Sequence, residues 1–240
     1  MRPVLDRWKG FTFSQYAEDV VLNCSLLPKR QGFYVDVGAY HPWKQSNTYR
    51  FYLTGWSGIT IEPNPDIADE FKRFRPRDTH LVMGVSPTPA VLTYYQFEDS
   101  KINSFDESQS RRMSSPSIGQ KAIECLPLRD IVERHAKDRQ IDLLSIDCEG
   151  LDLEVLQSLD LAATRPSVIV VEDFEQFGAT HQGGTSKIRT FLHTQNYATF
   201  AQSAFSFHYI DTRALGQKNG NAGFSLEKAQ FGALARKPPP

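Results

Sequence analysis

Acidic residues stand where several apolar runs stop. Phe33-Tyr34-Val35-Asp36-Val37 leads into Gly38, and Gly58-Ile59-Thr60-Ile61 ends at Glu62. Asp142-Leu143-Leu144-Ser145-Ile146 ends at Asp147, and Ser167-Val168-Ile169-Val170-Val171 ends at Glu172-Asp173. Carboxylates at such points can accept ligand hydroxyls, hold a hard cation or take a proton. Each can equally cap the helix that follows, and one alone would be read that way. The repetition points to a ligand. Gly38 lets backbone approach that ligand closely. Glu62 stands where a carboxylate can accept both hydroxyls of an adenosine ribose, in a nicotinamide or in S-adenosylmethionine (SAM). The window from Gly38 reads Gly-Ala-Tyr-His-Pro-Trp, so the G-x-G-x-x-G of a pyrophosphate cradle is missing.

Short apolar runs bounded by turn residues are buried parallel strands. The pattern predicts strands over 33–37, 58–62, 80–85, 142–146 and 167–171. Helices are expected over 14–27 with Ser14 as N-cap, and over 46–53, 67–74, 127–137, 151–159 and 187–194. Alternation of this kind means βαβ units and one parallel sheet, with ligands beyond its carboxyl edge. Residues 91–97 add a β run, and 197–202 with 205–210 suggest a terminal hairpin. Residues 98–120 are polar and Ser-rich without periodicity, which predicts a lid or binding loop.

Composition narrows the class. The chain has 240 residues, 40% hydrophobic and 23% charged, an ordinary globular balance. Its formal net charge of -1 argues against bulk attraction to nucleic acid or anionic membrane. The three cysteines, Cys24, Cys125 and Cys148, form no CxxC pair, so the expected setting is reduced and cytoplasmic. No leader or membrane-spanning run is visible.

The chain closely resembles the FkbM family of SAM-dependent methyltransferases. The resemblance lies in Ser14-Gln15-Tyr16-Ala17-Glu18-Asp19, Phe33 to Pro42, Ser46-Asn47-Thr48, Gly55 to Pro63, Ile146-Asp147-Cys148-Glu149-Gly150 and Val170-Val171-Glu172, in order over about residues 13–175. It implies a Rossmann-like α/β fold. That fold has a seven-stranded class I methyltransferase sheet, helices on both faces and one antiparallel strand near the C-terminus. The expected organisation is an N-terminal helical extension over 1–30 and a methyltransferase domain over 31–235. By the same resemblance Asp36, Gly38 and Ala39 line the methionine side of SAM, with Asp147 nearby, and Glu62 holds the ribose. Gly84 and Val85 lie near the adenine, and Asn103-Ser104 fall in a polar segment. Many methyltransferases carry a second Gly where this chain has Tyr40, which would shift the backbone contact to Ala39.

Methyl transfer to an alcohol needs alignment and removal of a proton. On one route Mg²⁺ or Mn²⁺ binds the acceptor oxygen, held by Asp147, Glu172 and Asp173 in a placement similar to catechol-type O-methyltransferases. Those enzymes place a lysine three residues after the first Asp, where Gly150 stands here. On the other route Glu149 or His41 is the base, and repulsion between Asp147 and Glu149 raises one pKa. Glu149 can alternatively serve only the start of the next helix. Arg111-Arg112 and His181 lie in polar loops that could meet an acceptor, though solvated loops explain them as well. Trp43 and Trp56 are candidate stacking rings, with Trp56 better suited to packing, and Cys148 reads as a small core residue. The expected activity is O-methyl transfer to a sugar, glycan or secondary metabolite. The expected partner is that acceptor, and homo-oligomerisation is left open. A nicotinamide oxidoreductase and a non-catalytic binding domain are the competing readings.

Overall fold

The computed structural model describes residues 11–26, 31–108, 114–180 and 184–213. Its central sheet holds β1 (Phe33–Val37), β2 (Ser57–Ile61), β3 (Thr79–Leu81), β7 (Leu143–Ile146), β8 (Val168–Glu172), β9 (Tyr197–Ser203) and β10 (Ser206–Asp211). The spatial order is β3-β2-β1-β7-β8-β10-β9. All five residues of β1 are buried, as a strand with both faces covered requires. Its period of two divides the core. Phe33, Val35 and Val37 join one apolar cluster, and Tyr34 joins the cluster on the other face.

The parallel register aligns the strand ends. Val37 pairs with Ile61 on one side and Ile146 on the other, and Ile146 pairs with Val171. The loops leaving β1, β2, β7 and β8 therefore emerge along one edge. Antiparallel β10 lies between β8 and β9, so the C-terminal hairpin extends the sheet. The helices are α1 (Glu18–Leu26), α2 (Tyr49–Leu53), α3 (Ala68–Phe74), α4 (Leu128–His135), α5 (Asp152–Gln157), α6 (Phe174–Thr180) and α7 (Lys187–Thr194). Ser186 caps α7, its Oγ accepting the Arg189 N–H at 3.0 Å.

Four expectations change. The 80–85 run divides, because Leu81 closes β3 while β4 (Gly84–Val85) joins a second sheet in the order β4-β6-β5. That sheet pairs β5 (Ala90–Phe97) with β6 (Ser117–Leu126), and β6 takes the end of the segment read as a lid. Its pairing partner lies across an intervening loop, and Gly119-Gln120-Lys121 breaks its apolar residues apart, so no continuous run marks β6 as a strand. The first helix starts at Glu18 rather than Ser14, since Ala17 takes a φ of 65°. Ser46 likewise precedes α2, its Oγ accepting the Tyr49 N–H at 3.1 Å.

The segment before α1 is a strap tied to the domain. Buried Asp19 pairs with Arg50 at 2.9 Å and accepts from Thr12 Oγ1 at 2.6 Å and the Phe13 N–H at 3.0 Å. Ser206 Oγ donates to Glu18 Oε1 at 3.1 Å. Removing one partner of such a buried pair costs about 3–5 kcal/mol.

Candidate active site

The loops at the carboxyl edge enclose a cavity of about 440 Å³. It runs from the end of β2 to the end of β8. These strands stand three steps apart in the sheet, ~14 Å at ~4.8 Å a step.

At the β2 end Glu62 is buried, with three hydrogen bonds. Oε2 accepts the Tyr40 N–H at 2.9 Å, and Oε1 accepts the Asn64 N–H at 2.9 Å and the Tyr94 hydroxyl at 3.3 Å. Burial raises its pKa, and these donors oppose the rise. A carboxylate offers about four acceptor sites, so Oε2 keeps room for a ligand hydroxyl. Tyr40 reaches Glu62 by adopting a φ of 52°, a conformation that glycine takes freely. Gly84, Val85, Tyr94 and Phe105 complete an apolar wall, with the Tyr94 and Phe105 rings 5.2 Å apart.

Gly38 has a φ of 75°, and a Cβ there would lie 1.8 Å from the Asp147 carbonyl oxygen. The glycine is thus required by the approach of the β1 and β7 loops to each other. Beyond that approach, Asp147, Cys148 and Glu149 line the middle of the cavity. Glu149 is left-handed at φ 51°, as is Gly150 at 96°. Asp152 shapes this turn, its carboxylate accepting the N–H of Cys148 at 2.8 Å and of Gly150 at 3.1 Å. Sequence reasoning missed Asp152, whose signal was an acid two residues after a glycine at a helix start.

At the β8 end Glu172 faces Asp147 across adjacent strands. Its Oε2 is buried without a hydrogen-bond partner. Burial, then the charges of Asp147, Asp152, Glu149 and Glu18, push its pKa up to about 10. Burial and the same acids raise Asp147 well above the carboxylate range. Gln15 and Tyr16 of the strap, with Phe174 and Phe205, close this end.

The family model for the methyltransferase FkbM domain matches residues 36–199. The chain belongs to this methyltransferase family. No curated protein is significantly similar to it in sequence.

In this FkbM methyltransferase Gly38, Glu62, Gly84, Val85, Asp147, Glu149 and Glu172 line one cavity, as do Asn103 and Ser104. Asp36, Ala39, His41 and Asp173 do not. Asp36 projects from the opposite face of β1 to Val37 and accepts from Thr48 Oγ1 at 2.5 Å. Thr48 in turn accepts from Arg75 at 2.9 Å, and Arg75 pairs with Asp78 at 2.7 Å. Asp36 therefore belongs to a buried network beneath the sheet. The Gly38 and Ala39 N–H groups both donate to the Ile61 carbonyl, at 3.0 and 3.1 Å, and of this turn Gly38 and Tyr40 line the cavity while Ala39 does not. His41 folds its own turn. Its Nδ1 accepts the N–H of Trp43 at 3.3 Å and of Lys44 at 3.2 Å, and Nε2 lies 3.1 Å from Glu70. That geometry leaves it no role as a base in the cavity.

The metal triad does not fit. Asp173 is a helix cap, accepting the Gln176 N–H at 2.8 Å and the Ser186 hydroxyl. Among the described residues no group of three or more His, Cys, Asp or Glu side chains is arranged to hold a metal ion. Trp56 is buried against Phe51 at 4.9 Å, as a packing residue should be. Arg111, Arg112 and His181 lie outside the described residues.

Proposed function

We propose that this methyltransferase uses SAM to methylate a hydroxyl of a sugar, glycan or secondary metabolite. The observation that carries this is one cavity with two chemistries. A buried, backbone-held carboxylate stands at one end, and a cluster of proton-accepting carboxylates extends from the middle to the other. Glu62 suits the ribose hydroxyls, with Gly84, Val85, Tyr94 and Phe105 walling the adenine. The amino and sulfonium cations of SAM would offset the charge of Asp147 and its neighbours. When bound, SAM supplies an activated methyl group. The chain itself positions the acceptor and receives its proton. Glu149 is the base this reading assigns, because it is half-exposed and a tight turn brings it to the cavity wall. The reading takes Asp147, which lines the cavity two residues before Glu149, as the carboxyl group beside the cofactor.

Family membership favours methyl transfer over the nicotinamide reading. Among the described residues no helix is long and apolar enough to cross a membrane. The free thiols of Cys24, Cys125 and Cys148 fit the cytoplasm we assign.

Calorimetry with S-adenosylhomocysteine (SAH), the demethylated product, tests the cofactor. Binding on the order of micromolar Kd is expected, and no binding by folded protein would overturn the reading. Glu149→Gln should keep SAH affinity and lower kcat by about 100- to 1,000-fold. Unchanged turnover would remove Glu149 from the chemistry.

A further inference from the structure

Among the described residues, three that line the cavity hold left-handed backbone without being glycine. They are Tyr40 at a φ of 52°, Gln45 at 51° and Glu149 at 51°. Such backbone disfavours any residue with a Cβ and persists where the surroundings enforce it. Two of the three have a visible reason. Tyr40 turns its N–H to Glu62, and Asp152 holds the turn that contains Glu149. The third, Gln45, is delivered by its loop. His41 folds the preceding turn by accepting the Trp43 and Lys44 N–H groups, and Ser46 beyond it is buried. Gln45 thereby reaches the cavity wall, and its amide makes no hydrogen bond among the described residues. Glycine would take this backbone without strain. A glutamine here lowers stability, and a ligand contact accounts for keeping it.

A second amide reaches the cavity from the strap. The Ser46 N–H donates to the Phe13 carbonyl at 2.9 Å, so the strap lies against the residue that follows Gln45. Two residues on from Phe13, Gln15 lines the cavity, and its Nε2 donates to the Tyr16 hydroxyl at 3.0 Å. Both flanks of this pair are anchored. Ser14 Oγ donates to buried Asp19 at 3.0 Å, and Glu18 accepts the Tyr16 N–H at 2.8 Å. The Tyr16 ring lies 5.6 Å from Phe205, itself 4.9 Å from Phe174, so rings from three segments form a platform next to Gln15. That places the strap at the β8 end, across the cavity from Glu62. An amide offers two N–H donors and a carbonyl acceptor without a charge. It therefore pairs with a hydroxyl in either direction at any ordinary pH.

We propose that Gln15 and Gln45 form an amide pair that determines acceptor specificity by reading hydroxyls of a hexopyranoside. The inference rests on the methyltransferase reading and narrows its acceptor to a polyhydroxylated ring. A site built to pair with a hydroxyl rejects the analogue that lacks it, because the amide is then left unpaired. Gln45 lies inside the span matched by the family model and Gln15 before it, so the pair joins the matched domain to the strap.

Saturation-transfer NMR titrations test it with methyl glucoside, galactoside and mannoside and their monodeoxy analogues, on protein with and without SAH. At least one hexoside should bind, and one of its deoxy analogues at least about tenfold more weakly. Gln15→Ala and Gln45→Gly should each weaken the hexoside about tenfold and keep SAH affinity. At least one of these variants should bind the deoxy analogue as well as it binds the hexoside. Gln45→Gly should melt no lower than the wild type, since glycine suits a φ of 51°. No hexoside binding, discrimination retained in both variants, or a lower melting temperature for Gln45→Gly would each overturn the proposal. Weaker SAH binding in either variant would also overturn it, by assigning that amide to the cofactor. A wild type that binds hexosides with this selectivity but not SAH counts against the cofactor reading alone.

Discussion

The two ends of the cavity bury their acids in opposite ways. Glu62 receives two backbone N–H groups and a tyrosine hydroxyl, whereas Glu172 Oε2 receives no hydrogen bond. The difference follows from position. Glu62 leaves β2 beside two loops that fold back and offer N–H groups. Glu172 leaves β8 among Asp147, Asp152, Glu149 and Glu18, whose like charges disfavour its anion instead of stabilising it. A satisfied carboxylate is a rigid receptor that changes little when a ligand arrives. An unsatisfied one retains a desolvation cost that a donor or a cation from the ligand can remove. One end is thus built to hold and the other to respond.

The largest expected effect erases the contrast altogether. Gly38→Ala places a Cβ 1.8 Å from the Asp147 carbonyl at a φ of 75°, so it should destabilise the domain by roughly 3–5 kcal/mol in thermal unfolding. A stable variant would mean that the β1 and β7 loops move apart easily. Next is Glu62→Gln, which turns an amide toward donors and should weaken SAH binding roughly 100-fold by calorimetry. Retained affinity would show that the β2 end is not the receptor.

Smaller, and specific to the β8 end, is a pH effect. Glu172 titrates at about 10 against an ordinary 4.5, so between these values the native state binds more protons than the unfolded state. Stability should fall as pH rises through that window, and Glu172→Gln should flatten the fall. Parallel melting profiles from pH 5 to 9 for the two proteins would refute the asymmetry. The smallest effects are expected from groups outside the cavity chemistry. His41→Asn keeps an acceptor for the Trp43 and Lys44 N–H groups and should leave turnover within about twofold. EDTA should do the same, because Asp173 is committed to Gln176 and Ser186; a collapse on chelation would restore the metal route.

Much of the holding end is legible in the sequence, and little of the responding end. Glu62 and Gly38 follow strands whose apolar runs are plain, and a strand end in an α/β sheet has a known fate. Asp36 misleads because a strand's period of two sends it to the face opposite Val37, into the Arg75 network. Asp173 and His41 mislead because local hydrogen bonds claim them. No pattern in the sequence joins Tyr16, Phe174 and Phe205, since they meet only through the strap, the start of α6 and the last hairpin.

By itself the sequence determined the alternation of strands and helices, the sheet edge where the acids collect and the kind of groups waiting there. Those features depend on local periodicity and on residue chemistry, which a linear string contains. The tertiary structure alone decided which carboxylates face the cavity, which are spent as caps and which lack a partner. It also decided that β6 pairs with β5 and that aromatic rings from three segments share one platform. These outcomes depend on contacts between residues far apart in the chain, and the energy of a buried polar group is set by whichever neighbours those contacts supply.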